Sequence, residues 1–141
     1  VDSIDWFTTD RMEKALKVDG ATDLEAYRTY YVNAVVILAE HFHNIAEQLG
    51  YTGIPHAMLM HHNILNALFM DDVLAALKEQ GWSLVDAKEA FADPFYSLKP
   101  ETPTRGRSLL SVLAQEQGIT DTKFPSAYRG FGKKTMDALG L

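Results

Sequence analysis

Residues 55–81 read PHAMLMHHNILNALFMDDVLAALKEQG, and the interpretation of the whole chain depends on this stretch. A short apolar run ends at His61 and His62, and a helical pattern follows directly. One side of that pattern carries four leucines, Leu65, Leu68, Leu74 and Leu77. Gly81 ends it, and a second apolar run, WSLV, comes next. This order predicts a strand–helix–strand unit with the two histidines at the carboxyl end of the first strand, where such units place their chemistry.

The composition is that of an ordinary globular protein with an acidic balance. The chain has 141 residues, of which 47% are hydrophobic, enough for one domain with a sizeable core. Thirteen basic and nineteen acidic residues give a net charge of −6, which argues against nucleic acid or an anionic membrane as a partner. No apolar run approaches the roughly 20 residues of a membrane span. The absence of cysteine excludes disulfides and thiol chemistry but does not settle the compartment.

Helical patterns flank the central unit. Apolar residues recur at three- and four-residue steps over 24–49, and Thr22 with Glu25 fits a capping box at the start of this longest helix. Residues 87–92 predict one or two helical turns, and residues 108–118 predict a helix that begins at a serine cap and ends at a glycine. The tail is predicted to be mostly irregular with a short helix near residues 133–139.

Three segments, residues 1–7, 56–61 and 82–85, are predicted to be strands. Strands that alternate with helices predict a parallel α/β sheet. A complete (β/α) barrel typically needs about 250 residues, so the prediction is a partial barrel of about three parallel strands with flanking helices. The chain also begins inside a predicted strand with neither Met nor leader, which favours a fragment or a processed piece of a longer protein.

The two adjacent histidines are the first candidates for chemistry. Strand alternation places His61 and His62 on opposite faces, so they are not expected to bind one metal ion together. Each either caps the strand end or the next helix, or one of them acts as a general acid or base. Asp2 and Trp6 share a strand face, which suits either a carboxylate that orients a histidine or a solvated Asp beside a core Trp.

Other pairs of polar residues give weaker signals. His41 and His43 point about 200° apart on the predicted helix and cannot chelate one ion. Glu40 with His43 resembles half of a di-iron motif, but no second copy is present. Arg105 and Arg107 flank a glycine in a loop that either binds an anion or is simply solvated.

Two short motifs resemble a known family. The run DSIDW at residues 2–6 is similar to the fourth conserved motif of polysaccharide deacetylases of the NodB-homology type (carbohydrate esterase family 4), and LMH at residues 59–61 is similar to the fifth, L-x-H. Residues 61–96 are similar to the segment that closes the catalytic domain in bacterial members. The resemblance covers nearly all of residues 1–96 and, more loosely, the tail.

The resemblance implies roles for four residues. His61 matches the general acid that protonates the departing amine when an N-acetyl group is hydrolysed. Asp2 matches the carboxylate that hydrogen-bonds this histidine and keeps it charged. Trp6 and Leu59 match the apolar walls that hold the acetate methyl group.

The resemblance also implies what this chain lacks. The family's first three motifs, which supply the catalytic base, the zinc ligands and an arginine, have no match here. The whole chain, residues 1–141, is thus predicted to be the C-terminal part of one deacetylase catalytic domain, with residues 96–141 as a loop-rich extension carrying one helix. No metal is expected in this chain, whereas zinc or a similar divalent metal is expected in the intact enzyme.

The predicted function is that of a metal-dependent carbohydrate N-deacetylase, inactive as this chain alone. Its expected partners are an N-acetylated glycan and the missing N-terminal part of the same catalytic domain, and the resemblance suggests a periplasmic or extracellular location. The alternative is a non-catalytic interaction subunit that keeps a remnant of the deacetylase fold.

Overall fold

The computed structural model describes residues 1, 3–18, 22–120, 122 and 133–141, and these residues form a helical architecture. The six α-helices within them are α1 (Asp5–Val18), α2 (Leu24–Gln48), α3 (Ile64–Glu79), α4 (Ala87–Phe91), α5 (Leu109–Glu116) and α6 (Lys133–Ala138). A 3₁₀ helix, Pro94–Ser97, lies between α4 and α5. None of the helices in these ranges has both the length and the apolar character needed to cross a membrane.

The predicted partial α/β barrel is wrong, because the described residues contain no strand and no sheet. The first predicted strand fails because α1 already begins at Asp5. Residues 56–61 and 82–85 are not helical, but they do not pair with one another as a ladder. The N–H of Leu59 donates to the carbonyl of Val1 at 2.8 Å, without extending into a strand. A short apolar run fits a buried strand or an extended connection equally well, and only the partners of its backbone groups distinguish the two.

The long predicted helix is confirmed as α2, which is the centre of the fold. It contacts α1, α3 and α5. Its N-cap is Asp23 rather than Thr22, because the Asp23 carboxylate accepts a hydrogen bond from the N–H of Ala26 at 3.1 Å. At its other end Gly50 adopts φ 81°, a left-handed conformation that favours glycine.

The core consists of two clusters that share α2. The first cluster packs α1, most of α2 and α3 together, and its fully buried side chains include Met12, Tyr31, Val35, Leu38 and Leu65. The second cluster packs the C-terminal part of α2 against α5 and the 3₁₀ helix, through Phe42, Ile45, Phe95, Leu110 and Ala114. A single long helix therefore connects two hydrophobic centres.

The remaining helix predictions are confirmed. Asn63 caps α3 by accepting a hydrogen bond from the N–H of Asn66, and Gly81, at φ 87°, follows its end. Ser108 caps α5 in the same way. The short helix predicted near residues 133–139 is α6, whereas residues 123–132 of the predicted irregular tail lie outside the described ranges.

Substitution of two leucines in α3 tests the position of the first cluster. Leu65 is 0% exposed and Leu68 is 47% exposed, three residues apart on one helix. We expect Leu65→Ala to lower the free energy of unfolding by about 2–5 kcal/mol, since it leaves a cavity in the core. The matched Leu68→Ala should cost about 1 kcal/mol or less. Equilibrium unfolding in urea measures both, and equal losses would contradict this packing.

Candidate active site

A buried carboxylate, that of Asp5, binds the start of α3 and the histidine that precedes it. Asp5 is 0% exposed. Its Oδ1 lies 2.7 Å from Nδ1 of His61, and its Oδ2 accepts from the backbone N–H of His61 at 2.6 Å. Oδ2 also accepts from Nδ2 of Asn66 at 2.6 Å and from Nδ2 of Asn63 at 3.1 Å. A buried charge is tolerated only with such partners, so Asp5 is held in one position.

The imidazole of His61 is fixed on one side and open on the other. A carboxylate only accepts hydrogen bonds, so Nδ1 of His61 carries the proton that points to Asp5. The other ring nitrogen, Nε2, is then the atom that can exchange a proton with a bound molecule. The His61 side chain is 48% exposed, in contrast to its fully buried partner. This arrangement suits general acid–base chemistry at a surface.

Local backbone structure brings the two residues together. Asp5 is the first residue of α1, and Ile4 just before it has φ 54°. A β-branched residue in this region stores about 1–3 kcal/mol of strain, which persists only where surrounding contacts impose it. Ile4 is 6% exposed and belongs to the first core cluster, which supplies those contacts. The Asn63 cap fixes the start of α3 on the other side.

The environment favours the charged form of Asp5. Burial by itself raises the pKa of this carboxyl, but hydrogen bonds from the backbone and side chain of His61 and from Asn66 outweigh burial and leave the pKa below its usual value. The N-terminal end of α3, whose dipole favours an anion, lies on the same side. Asp5 therefore stays an anion beside Nδ1 of His61.

The residues predicted from the sequence meet different outcomes. Asp2, the predicted partner of His61, lies outside the described residues, so its role stays a prediction. Trp6 and Leu59 are 58% and 59% exposed. Trp6 follows Asp5 on α1, and Leu59 lies two residues before His61, so both present apolar surface from the segments that carry the pair. His62 is exposed and has no part in the contacts of Asp5.

Sequence reasoning missed Asp5, Asn63 and Asn66. Treating residues 1–7 as a strand placed Asp5 on the face opposite Asp2 and Trp6, and so removed it from consideration. The available signal was the second acid of the run DSIDW, one position before the tryptophan. The asparagines give no signal beyond helix capping, because their second role needs a carboxylate that is far away in sequence.

The described residues do not fit a metal site. No group of three or more His, Asp or Glu side chains within them is arranged to hold an ion. The zinc that the resemblance implies has no ligand set in this part of the chain.

The segment that leads to His61 is fixed from the side of the second core cluster. The hydroxyl of Tyr96 donates to the carbonyl of Pro55 at 2.8 Å and accepts from the N–H of Ala57 at 3.1 Å. Tyr96 itself packs against Phe95, a buried residue of the second cluster. The position of residues 55–57 is therefore set by contacts with the 3₁₀ helix rather than with α3.

One residue of this segment, His56, belongs to a separate cluster of three rings. His43 on α2, His56 and Trp82 meet edge to face, with ring centroids 5.6 to 6.0 Å apart. Nε2 of His56 is buried without a hydrogen-bond partner among the described residues. Burial and the neighbouring His43 lower the pKa of His56 from 6.5 to about 4. His56 is thus a neutral packing residue at physiological pH.

No family model, curated protein or solved structure matches the chain. The resemblance to the deacetylases therefore stays a prediction.

The lowered pKa of Asp5 predicts an acid-dependent loss of stability. In the unfolded chain Asp5 takes up a proton near its ordinary value of 3.8, whereas in the folded chain it stays ionised to lower pH. Stability is therefore complete above this value and is lost as the pH falls through the folded pKa. We expect Asp5→Asn to remove this contribution and to cost about 1.5–3 kcal/mol at pH 7, where a charged hydrogen-bond acceptor is lost. Urea unfolding between pH 3 and pH 7 measures it, and parallel wild-type and variant curves would contradict it.

The lowered pKa of His56 predicts a second loss of stability on acidification, which begins at a higher pH than the loss due to Asp5. Between pH 6.5 and about 4 the unfolded chain protonates His56 while the folded chain does not, so stability falls as the pH is lowered through this range. The full loss is on the order of 3 kcal/mol. We expect His56→Gln to flatten the dependence of unfolding free energy on pH in this window and to leave the lower window of Asp5 in place. An unchanged slope in circular-dichroism unfolding would argue against a buried neutral His56.

Proposed function

We propose that this chain is the part of a carbohydrate N-deacetylase that supplies the general acid, His61, together with the carboxylate that orients it, Asp5. The observation that carries the proposal is the fully buried Asp5 carboxylate 2.7 Å from Nδ1 of a half-exposed histidine. The resemblance of residues 59–61 to a deacetylase motif supports the role of His61. The resemblance of residues 2–6 gives the carboxylate's role to Asp2, which lies outside the described residues, and here we give that role to Asp5 on its contacts.

The proposed step is hydrolysis of the acetamide of an N-acetylated sugar. Water adds to the carbonyl carbon and gives up a proton to a catalytic base that lies outside this chain. The C–N bond then breaks as the departing nitrogen takes a proton from Nε2 of His61, and acetate and the amine leave. Asp5 accepts from Nδ1 throughout, so the ring keeps its orientation before and after the transfer. The base releases its proton to solvent, and one proton from solvent returns to Nε2 and restores the acid.

Two exposed apolar side chains, Trp6 and Leu59, are the candidates for contact with the acetyl group. In this proposal Trp6 and Leu59 contact the methyl group of the acetyl, since both are exposed and come from the segments that carry Asp5 and His61. Burial of a methyl group contributes about 0.8 kcal/mol, which favours N-acetyl over unsubstituted sugars.

The base and the metal of the reaction belong elsewhere in this proposal. The described residues provide no set of metal ligands. We therefore assign the divalent metal and the catalytic base to a further polypeptide segment, the predicted N-terminal part of the catalytic domain. This chain without that segment is expected to release no acetate.

A non-catalytic interaction subunit is the second candidate. Large apolar side chains lie exposed on the non-helical segments and on α4, namely Leu59, Leu84, Val85 and Phe91. Exposed apolar patches of this kind often mark contact with another polypeptide. Both candidates need a partner segment, but only the deacetylase needs the imidazole of His61.

Substitution of His61 in the complete enzyme tests the proposed function. We expect His61→Ala to lower kcat for release of acetate from N-acetylglucosamine oligomers by about 10²–10⁴-fold, with KM little changed, because the lost proton transfer matters only in the transition state. The measurement is acetate release by the metal-loaded complete enzyme.

The matched control is His62→Ala, which removes the neighbouring imidazole without touching Asp5. It should retain turnover within a few-fold of wild type. Near-wild-type turnover of His61→Ala would refute the role of His61, and absence of acetate release from the wild-type complete protein would favour the interaction subunit.

A further inference from the structure

Asn66 holds both the carboxylate and the backbone of the histidine beside it. Its Nδ2 donates to Oδ2 of Asp5 at 2.6 Å and to the carbonyl of His61 at 2.7 Å. Its Oδ1 accepts from the hydroxyl of Tyr31 at 2.5 Å. Asn66 itself is 8% exposed. One buried amide therefore contacts both the carboxylate that binds the imidazole and the backbone of the histidine that carries it.

The orientation of this amide follows from the chemistry of its neighbours. A carboxylate oxygen and a backbone carbonyl can only accept, so both face the NH₂ group. A flipped amide would place its oxygen against two acceptors and its NH₂ against the Tyr31 hydroxyl. In the observed orientation the Tyr31 hydroxyl donates to the amide oxygen, so both ends of the amide have hydrogen-bond partners.

Tyr31 connects this amide to the middle of the core. It lies on α2, is 0% exposed and belongs to the first cluster. Burial raises the pKa of its phenol, which therefore remains a hydrogen-bond donor and exchanges no proton near neutral pH. Hydrogen bonds through Tyr31 and Asn66 therefore connect α2 to Asp5 and His61, so the position of α2 affects the positions of both residues.

We propose that Asn66, held by Tyr31, is a positioning residue that keeps the His61 imidazole in one orientation and one tautomer. The inference rests on the proposed function for its catalytic meaning, whereas its structural content does not. Oδ2 of Asp5 accepts from the His61 N–H, Asn63 and Asn66, so Oδ1 is the oxygen left to bind the ring. Without Asn66, Oδ2 keeps only the His61 N–H and Asn63 as donors, so the carboxylate is held less firmly and the Nδ1–H tautomer loses part of its advantage.

Nuclear magnetic resonance of this chain reads the tautomer directly. Long-range ¹H–¹⁵N spectra of the neutral imidazole should show a single Nδ1–H tautomer for His61 in the wild type. Asn66→Ala should give ring nitrogen shifts of a mixture in which the Nε2–H form is populated. Tyr31→Phe, which removes one hydroxyl, should shift them in the same direction by less.

Tyr27→Phe is the matched control. Tyr27 lies on the same helix and is 1% exposed, and its buried hydroxyl has no hydrogen-bond partner among the described residues. The His61 ring shifts should therefore not change. If Asn66→Ala does not fold, Tyr31→Phe decides the matter. Wild-type ring shifts in every folded variant of Asn66 and Tyr31 would overturn the proposal.

Kinetics of the complete enzyme separate the two proposals. Asn66→Ala should lower kcat by about 10–100-fold with KM little changed, as expected for a displaced catalytic group. An altered tautomer combined with turnover that does not depend on His61 would refute the general-acid role of His61 while the positioning role stands. An unaltered tautomer combined with His61-dependent turnover would refute the positioning role alone.

Discussion

The site depends on one buried charge, the carboxylate of Asp5. Removal of a carboxylate from water costs several kcal/mol, and only well-placed donors offset that cost. The donors belong to His61, Asn63 and Asn66, which follow Asp5 by 56, 58 and 61 positions in the sequence. The contact between the start of α1 and the start of α3 therefore stabilises both. The half-exposed histidine, His61, lies at this contact. Structure and chemistry depend here on the same contacts.

The backbone before Asp5 supports this view. Ile4 has a positive φ that few β-branched residues adopt, yet it is buried in the first cluster. The chain accepts this strain because it directs the first residue of α1 toward the N-terminal end of α3. A relaxed backbone at Ile4 would aim the carboxylate elsewhere and leave the His61 N–H without its acceptor.

Helices were predictable from the sequence because their signals are local. The three- and four-residue spacing in α2 and α3, the Ser108 cap and the terminating glycines each lie within a few residues of the feature they determine. The predicted strands failed because a strand is defined by its hydrogen-bonded neighbour, which apolar runs such as residues 82–85 do not specify. The resemblance to an L-x-H motif singled out His61, but its contact with Asp5 joins segments that are distant in the sequence. Only the fold itself, or the acid beside Trp6, identifies it.

The Tyr96 hydroxyl gives the second core cluster an influence on the segment that carries His61. It binds Pro55 and Ala57, whereas the imidazole is held by Asp5, which follows Ile4 of the first cluster. Proteins open locally in units that follow such clusters. A fluctuation that loosens α5 and the 3₁₀ helix would thus release the approach to the site, around Leu59, while the ring keeps its carboxylate. The His61 ring can therefore remain in place while the segment around Leu59 moves.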